Sequence, residues 1–227
     1  MLSPPRVVPD EPADVDGALE FLRRVVARFT DRLVLVSGLG PQSLLVLDLL
    51  AELGRPPRVV FLDTEAHFPE TLTLRERVQA RYGVEVEPVA PVVVIDRHWA
   101  ADPAACCEAR KVEPLRRILV RYDAWISGVR ADQTAARAEA RAIAWDDAYG
   151  LWKVNPLVGW TRAQVLAEIA RRGVPVNALL ARGYGSVGCA PSHRILKMPI
   201  RYKGPSSTTM RTSAVAPSTM VPVARPS

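Results

Sequence analysis

Apolar positions along this chain switch between two periods. Leu19, Leu22, Val25, Val26 and Phe29 recur at helical spacing behind Asp14 and Asp16, which predicts an amphipathic helix with an acidic start. Leu33-Val34-Leu35-Val36 is an unbroken apolar run, the mark of a short buried strand, and it ends in Ser37-Gly38-Leu39-Gly40-Pro41-Gln42-Ser43. A helix is expected from about 43 to 53, a second strand over Arg58–Leu62, a helix over Pro69–Tyr82 and an extended segment over about 84–95. A helix bearing Cys106 and Cys107 follows, with Pro114 marking a kink or a fresh helix start. A strand over 124–127 and a Thr-capped helix over 161–171 complete the pattern. Strands alternating with helices predict an α/β fold whose mostly parallel sheet is covered by helices on both faces.

The ends depart from this pattern. The Pro-rich residues 1–13 are expected to be disordered. Residues 197–227 are rich in Ser, Thr, Pro and Met, contain no acidic residue and show neither period, so a disordered or aberrant tail is expected. That leaves one domain, residues 14–196. No apolar run approaches the ~18–20 residues of a membrane span, and no basic segment followed by an apolar core opens the chain. Three cysteines make no disulfide framework, which places the chain in a reducing cytoplasm. The net charge of +6 comes mostly from scattered arginines. With no dense Lys/Arg run and no aromatic–basic alternation, an anionic small-molecule pocket is favoured over nucleic acid.

Five segments carry candidate chemistry. Ser37, Gly38, Gly40 and Ser43 stand where a strand feeds a helix N-terminus, a place that suits an anion; a tight turn using glycine for geometry alone fits equally. The loop lacks both Gly-Lys-Ser/Thr and Gly-x-Gly-x-x-Gly, which argues against a P-loop NTPase and a dinucleotide fold. Asp63 and Thr64 follow the second strand, where polar side chains line the usual ligand crevice of a parallel sheet and reach a ribose or a base edge; Pro69 and Glu70 also suit a helix start. Arg130 and Arg137 flank Asp132-Gln133 and suit phosphate or sulfate, or a solvated helix face. Cys106-Cys107 and Cys189 hold all the thiols, and adjacent cysteines close a relaxed disulfide poorly but suit a multi-iron cluster. With His193 they also make a Cys₃His set for zinc.

Together these segments resemble the assimilatory adenylyl-sulfate (APS) reductases of the PAPS reductase family. Cys106-Cys107-x-x-Arg110-Lys111-Val112-Glu113-Pro114-Leu115 is similar to their first cluster segment, and Gly183–Pro191 to their second. Asp63-Thr64 with His67-Phe68-Pro69-Glu70-Thr71 resembles their Asp-Thr-Gly motif. Gly128-x-Arg130-x-Asp132-Gln133-x-x-x-Arg137 and Lys153-Val154-Asn155-Pro156-Leu157 also match, so that the likeness runs over about 17–194. The resemblance implies an adenine-nucleotide α-hydrolase-like (PP-loop) fold and reduction of APS to sulfite and AMP by thioredoxin or a similar thiol donor. It implies a [4Fe-4S] cluster on Cys106, Cys107 and Cys189. It also implies that Ser37, Gly38, Gly40, Ser43, Asp63, Thr64, Arg130 and Arg137 hold the substrate, with Arg110 and Lys111 supporting its phosphosulfate. The family's paired cysteines point to APS as the sulfur donor, and its members are often homo-oligomers. An ATP-dependent adenylating PP-loop enzyme is the rival within the fold, but its Ser-Gly-Gly-x-Asp-Ser loop is missing.

Three positions depart from the family pattern. Ser192 stands where the second segment has its last cysteine, so a cluster here is expected to be labile or incomplete. Glu65 replaces the glycine of Asp-Thr-Gly, and its carboxylate opposes an anionic ligand unless it points away. The family's nucleophilic cysteine lies in a C-terminal Glu-Cys-Gly-Leu-His, and no cysteine follows Cys189. The composition changes at about Arg194, where an altered C-terminus is expected; a nucleotide-binding remnant with zinc or a cluster and no turnover is the alternative function.

Overall fold

The computed structural model describes residues 12–54, 56–92 and 102–190. Its centre is β1 (Leu33–Ser37), buried along its whole length, as a strand covered on both faces must be. The period of two divides the interior around it. Leu33 and Leu35 enter one apolar cluster with α1 (Val15–Phe29), α2 (Pro41–Glu52) and α6 (Arg162–Arg172), while Val34 and Val36 enter another with α5 (Glu113–Leu119).

On one side of β1 lie β2 (Arg58–Leu62) and β3 (Val86–Val89), and on the other β4 (Ala124–Ile126) and β6 (Leu151–Val154), all parallel. β5 (Ile143–Asp146) pairs antiparallel with β6 and closes the order β3-β2-β1-β4-β6-β5. The expected mostly parallel α/β sheet is therefore the fold. Its strand order turns around between β1 and β4, so the loops after those two strands flank the crevice in which such sheets bind ligands.

Local signals start and stop the helices. The Asp14 carboxylate accepts from the Gly17 N–H at 2.8 Å and caps α1. Pro41 sits in the first turn of α2, so that helix begins two residues before the expected start at 43. Pro69 likewise opens α3 (Pro69–Tyr82), which ends at left-handed Gly83. A Thr161–Gln164 capping box opens α6. The cysteine-bearing helix is three pieces: α4 (Pro103–Cys107), a π-turn over Glu108–Val112, and α5, which restarts around Pro114.

The hairpin of β5 and β6 was not expected from the sequence. Of the expected extended segment over 84–95, Val86–Val89 form a strand and residues 93–95 lie outside the described residues. So do residues 1–11 and the whole expected tail. Pro12 is buried, and the Ala13 carbonyl accepts from Gln164 at 3.3 Å, so the chain is packed before Asp14 is reached. No helix among the described residues is long and apolar enough to cross a membrane.

One buried ionic network joins three helices. Arg172 Nη1 of α6 donates to Asp48 at 3.1 Å and Glu52 at 2.7 Å on α2, and its Nε to Glu168 one turn back. Tyr82 of α3 donates to the same Asp48 at 2.9 Å. Burial and that carboxylate push the Tyr82 phenol well above its ordinary range.

Candidate functional site

The turn after β1 is knit by its own hydroxyls. Ser37 and Ser43 share a hydrogen bond of 2.8 Å, the Leu39 N–H donates to Ser37 Oγ at 2.9 Å, and Ser43 Oγ donates to the Gly40 carbonyl at 3.0 Å. The serines thus act inside the loop, which turns through left-handed, buried Leu39 (φ +56°) and aims the start of α2 outward. The first amides of a helix lack intrahelical partners and carry the positive end of its dipole. They open on a cleft of about 240 Å³ lined by residues including Gly38, Gly40, Ser43, Gly128 and Arg137. Val187, from the second cysteine segment, forms part of the same wall.

Gly128 holds the β4 loop against this turn. A Cβ there would come within 2.8 Å of both Ser43 N and Gln42 Cβ, so only glycine allows the approach. Asn155 fixes that loop: it accepts from Ser127 Oγ at 2.6 Å and donates to the Arg141 carbonyl at 2.7 Å. The Lys153–Leu157 motif therefore contributes a brace. Lys153 itself lies over the Trp125 ring, 4.7 Å from its centre. Burial pushes its ammonium below the usual lysine range, with Asp146 opposing and Arg137 adding to that shift.

Arg130 is buried, and its Nε and Nη2 each reach Asp132 Oδ1 at 2.8 Å. Its Nη1 has no hydrogen-bond partner among the described residues. Asp132 also accepts from the Arg162 N–H at 2.9 Å. Arg137 is steadied by Gln133 and reaches the cleft.

Thr64, after β2, is the junction of the other candidate residues. It is 2% exposed, and each of its polar groups is engaged within the protein. Its carbonyl accepts from Arg110 of the first cysteine segment, and its hydroxyl accepts from the Cys189 thiol at 3.2 Å. Its N–H lies 3.1 Å from His67 Nε2, which is also 3.1 Å from the Leu62 carbonyl. Burial against Phe61 pushes the His67 imidazole below its ordinary range, with the Leu62 carbonyl and Asp63 opposing. A neutral ring so placed is a strut for this turn. Asp63 accepts from the Glu65 N–H at 2.9 Å.

The second cysteine segment lies as a strap along the same loop. Arg182 pairs with Glu70 at 2.8 Å, Tyr184 packs edge-on against Phe68, and the Ala190 N–H donates to the Ala66 carbonyl at 2.7 Å. Arg162 holds the Gly185 carbonyl at 2.9 Å. Cys106 and Cys189 are buried and Cys107 half-buried, with Lys111 Nζ 3.9 Å from the Cys107 sulfur. None of the three is in a disulfide.

An iron–sulfur cluster takes ligands, normally four, gathered round one point. Three thiols have the right chemistry, and both segments bearing them attach to Thr64. Yet among the described residues no three His, Cys, Asp or Glu side chains are gathered so as to hold a metal ion, and the Cys189 thiol is turned to Thr64. The arrangement does not form a ready-made cage. Ser192 and His193 lie outside the described residues.

Sequence reasoning gave little weight to His67 and named Gln42, Val187 and Asn155 only as members of longer motifs, with no role of their own. Their roles rest on contacts across the sheet that no local spacing announces.

Comparison with known proteins agrees with this picture. Residues 32–195 match the phosphoadenosine phosphosulfate reductase domain. The chain is 41% identical over 179 residues to a phosphoadenosine 5'-phosphosulfate reductase of Gloeobacter violaceus, covering 75% of this chain and 74% of that one. It is 38% identical over 192 residues to an adenosine 5'-phosphosulfate reductase of Allochromatium vinosum, covering 79% and 75%. A crystal structure of the phosphoadenylyl-sulfate reductase of Candida auris, a phosphate complex, superposes with a TM-score of 0.69 at 30% identity over 78% of this chain and 90% of that one. With the glycine–serine turn, the braced β4 loop and the paired cysteine segments in place, the chain belongs to the phosphoadenosine phosphosulfate reductase family.

Proposed function

We propose that this site binds adenylyl sulfate, and that its chemistry is reduction of the sulfuryl group to sulfite with release of AMP. The observation that carries this reading is the meeting of the site's loops at the C-terminal end of the parallel strands. The anion-ready start of α2 and Arg137 meet in one cleft, and the thiol-bearing segments are anchored on the neighbouring loop. The amides at the start of α2 and Arg137 hold the phosphate, while Arg110 and Lys111 place positive charge beside Cys107 and face the sulfate. Asp63 is the proposed contact to the ribose. The adjacent Cys106-Cys107 favours APS over its 3'-phosphorylated form. In the overall change the sulfate–phosphate S–O bond breaks, two electrons reach sulfur, and a thioredoxin-type dithiol leaves as a disulfide.

The family's attacking thiol has no counterpart after Cys189. Under anaerobic conditions, with thioredoxin and a dithiol, the chain is expected to bind APS and AMP in calorimetry; sulfite release marks the reductase, and binding without it marks the nucleotide-binding remnant. In the second case, addition of a C-terminal Glu-Cys-Gly-Leu-His is expected to bring turnover. Absence of APS binding would sink the substrate assignment.

Cys106, Cys107 and Cys189 are the residues that would hold an iron–sulfur cluster. With three thiols it is labile or incomplete. Iron with acid-labile sulfide and a broad visible absorption in anaerobically purified protein is the expected result; colourless zinc would transfer the thiols to a Cys₃His site with His193.

A further inference from the structure

We propose that Glu65 is a built-in rival of the substrate's anion for Arg110, and so sets how tightly the site holds a sulfated nucleotide. The inference deepens the reading above and rests on Arg110 as a phosphosulfate contact. Glu65 adopts φ +55°, a left-handed conformation that side chains beyond glycine and asparagine seldom take. The turn is held there by the Glu65 N–H donating to Asp63. This geometry carries the Glu65 carboxylate across to the first cysteine segment, where Oε2 lies 3.8 Å from Arg110 Nη1. That nitrogen also donates to the carbonyl of Thr64, so two successive residues of one turn hold the same guanidinium.

The two partners are unequally placed. The Arg110 side chain is 17% exposed, whereas that of Glu65 is 55% exposed. The cation is thus fixed within the site, and the carboxylate approaches from the solvent side, from which it can swing away. An incoming sulfate that engages Arg110 meets a negative charge already there, and like charges on one cation repel. Binding of the anion therefore includes displacement of Glu65. Other charged or titratable groups near this turn include Asp63, His67, Arg75 and Lys111, all of them unchanged in sequence by a substitution at Glu65.

Calorimetric titration with APS and with adenosine, which carries no anion, tests this in the wild type, Glu65→Gln and Glu65→Gly. Because exposed ion pairs are weak, both variants are expected to bind APS about three- to fivefold more tightly, with the gain shrinking in added salt and adenosine binding unchanged. Tightening in Glu65→Gly alone would trace the effect to backbone strain and overturn the proposal, as would unchanged or weaker APS binding in both. Failure of the wild type to bind APS at all would overturn the substrate assignment, and this inference with it.

Discussion

Replacement of Gly128 by alanine is expected to lower affinity for AMP or APS at least about tenfold and to destabilise the fold by about 1–3 kcal/mol, the usual range for overpacking. The added Cβ would stand 2.8 Å from Ser43 N, 2.8 Å from Gln42 Cβ and 3.0 Å from Gln42 C. Two of these three are main-chain atoms in the first turn of α2, so no side-chain rotation relieves the clash. Either the β4 loop retreats or the start of α2 shifts, and in both cases the amides and Arg137 no longer share one cleft. Gly38→Ala is the contrast for folding, because a Cβ there meets nothing within 4 Å, and its melting temperature is expected to match the wild type. Calorimetric titration with AMP and thermal melting check both variants. Wild-type AMP affinity in Gly128→Ala would show that the approach of the two loops does not shape the cleft.

Arg172→Ala is expected to have the largest effect on stability, a loss of about 3 kcal/mol at neutral pH, because removing one member of a buried ion network strands the others. Arg172 is 13% exposed and faces Asp48, Glu52 and Glu168, of which Asp48 and Glu168 are themselves buried. The loss depends on pH in a definite direction. Hydrogen bonds from Arg171 and then Arg172 hold the Glu168 carboxyl below its ordinary range, against the opposing effect of burial. A group whose folded pKa is depressed contributes stability above its unfolded value, and this is lost as pH falls through the folded one. The deficit of Arg172→Ala should accordingly be full at pH 7 and narrow below about pH 4, where free carboxylates begin to protonate. Urea unfolding at both pH values tests this, and an equal deficit at both would mean that the lost stability is packing rather than charge.

The alternation of buried strands and amphipathic helices was legible in the sequence because each period is local. Leu33–Val36, the Thr161 cap and the Pro69 start all appear where expected. The β5–β6 hairpin escaped because its strands have four residues each and β5 is the edge strand, with Trp145 and Trp152 packed on each other instead of alternating cleanly in and out. At the site, the residue types around Ser37, Arg137 and the cysteines could be read, but not what each touches. Thr64 looked like a substrate contact, yet its polar groups are taken by His67, Arg110 and Cys189. Glu65 looked like a charge opposed to the ligand, and only the left-handed turn reveals the cation it reaches. Such pairings join positions 46 and 125 residues apart, and spacing along the chain carries no trace of them.

The central place of β1 bears on how the molecule is born. As the chain leaves the ribosome, β1 finds β2 within a few tens of residues, but its other neighbour begins at Ala124, and Arg32 and Asp123, which pin that flank, are 91 residues apart. Until β4 emerges, the nascent sheet has an open seam through its middle, with Val34 and Val36 waiting for the α5 layer. Parallel pairings of such long range close slowly. The newborn chain thus passes through an interval in which this apolar flank is uncovered, the kind of state most prone to sticking to its neighbours.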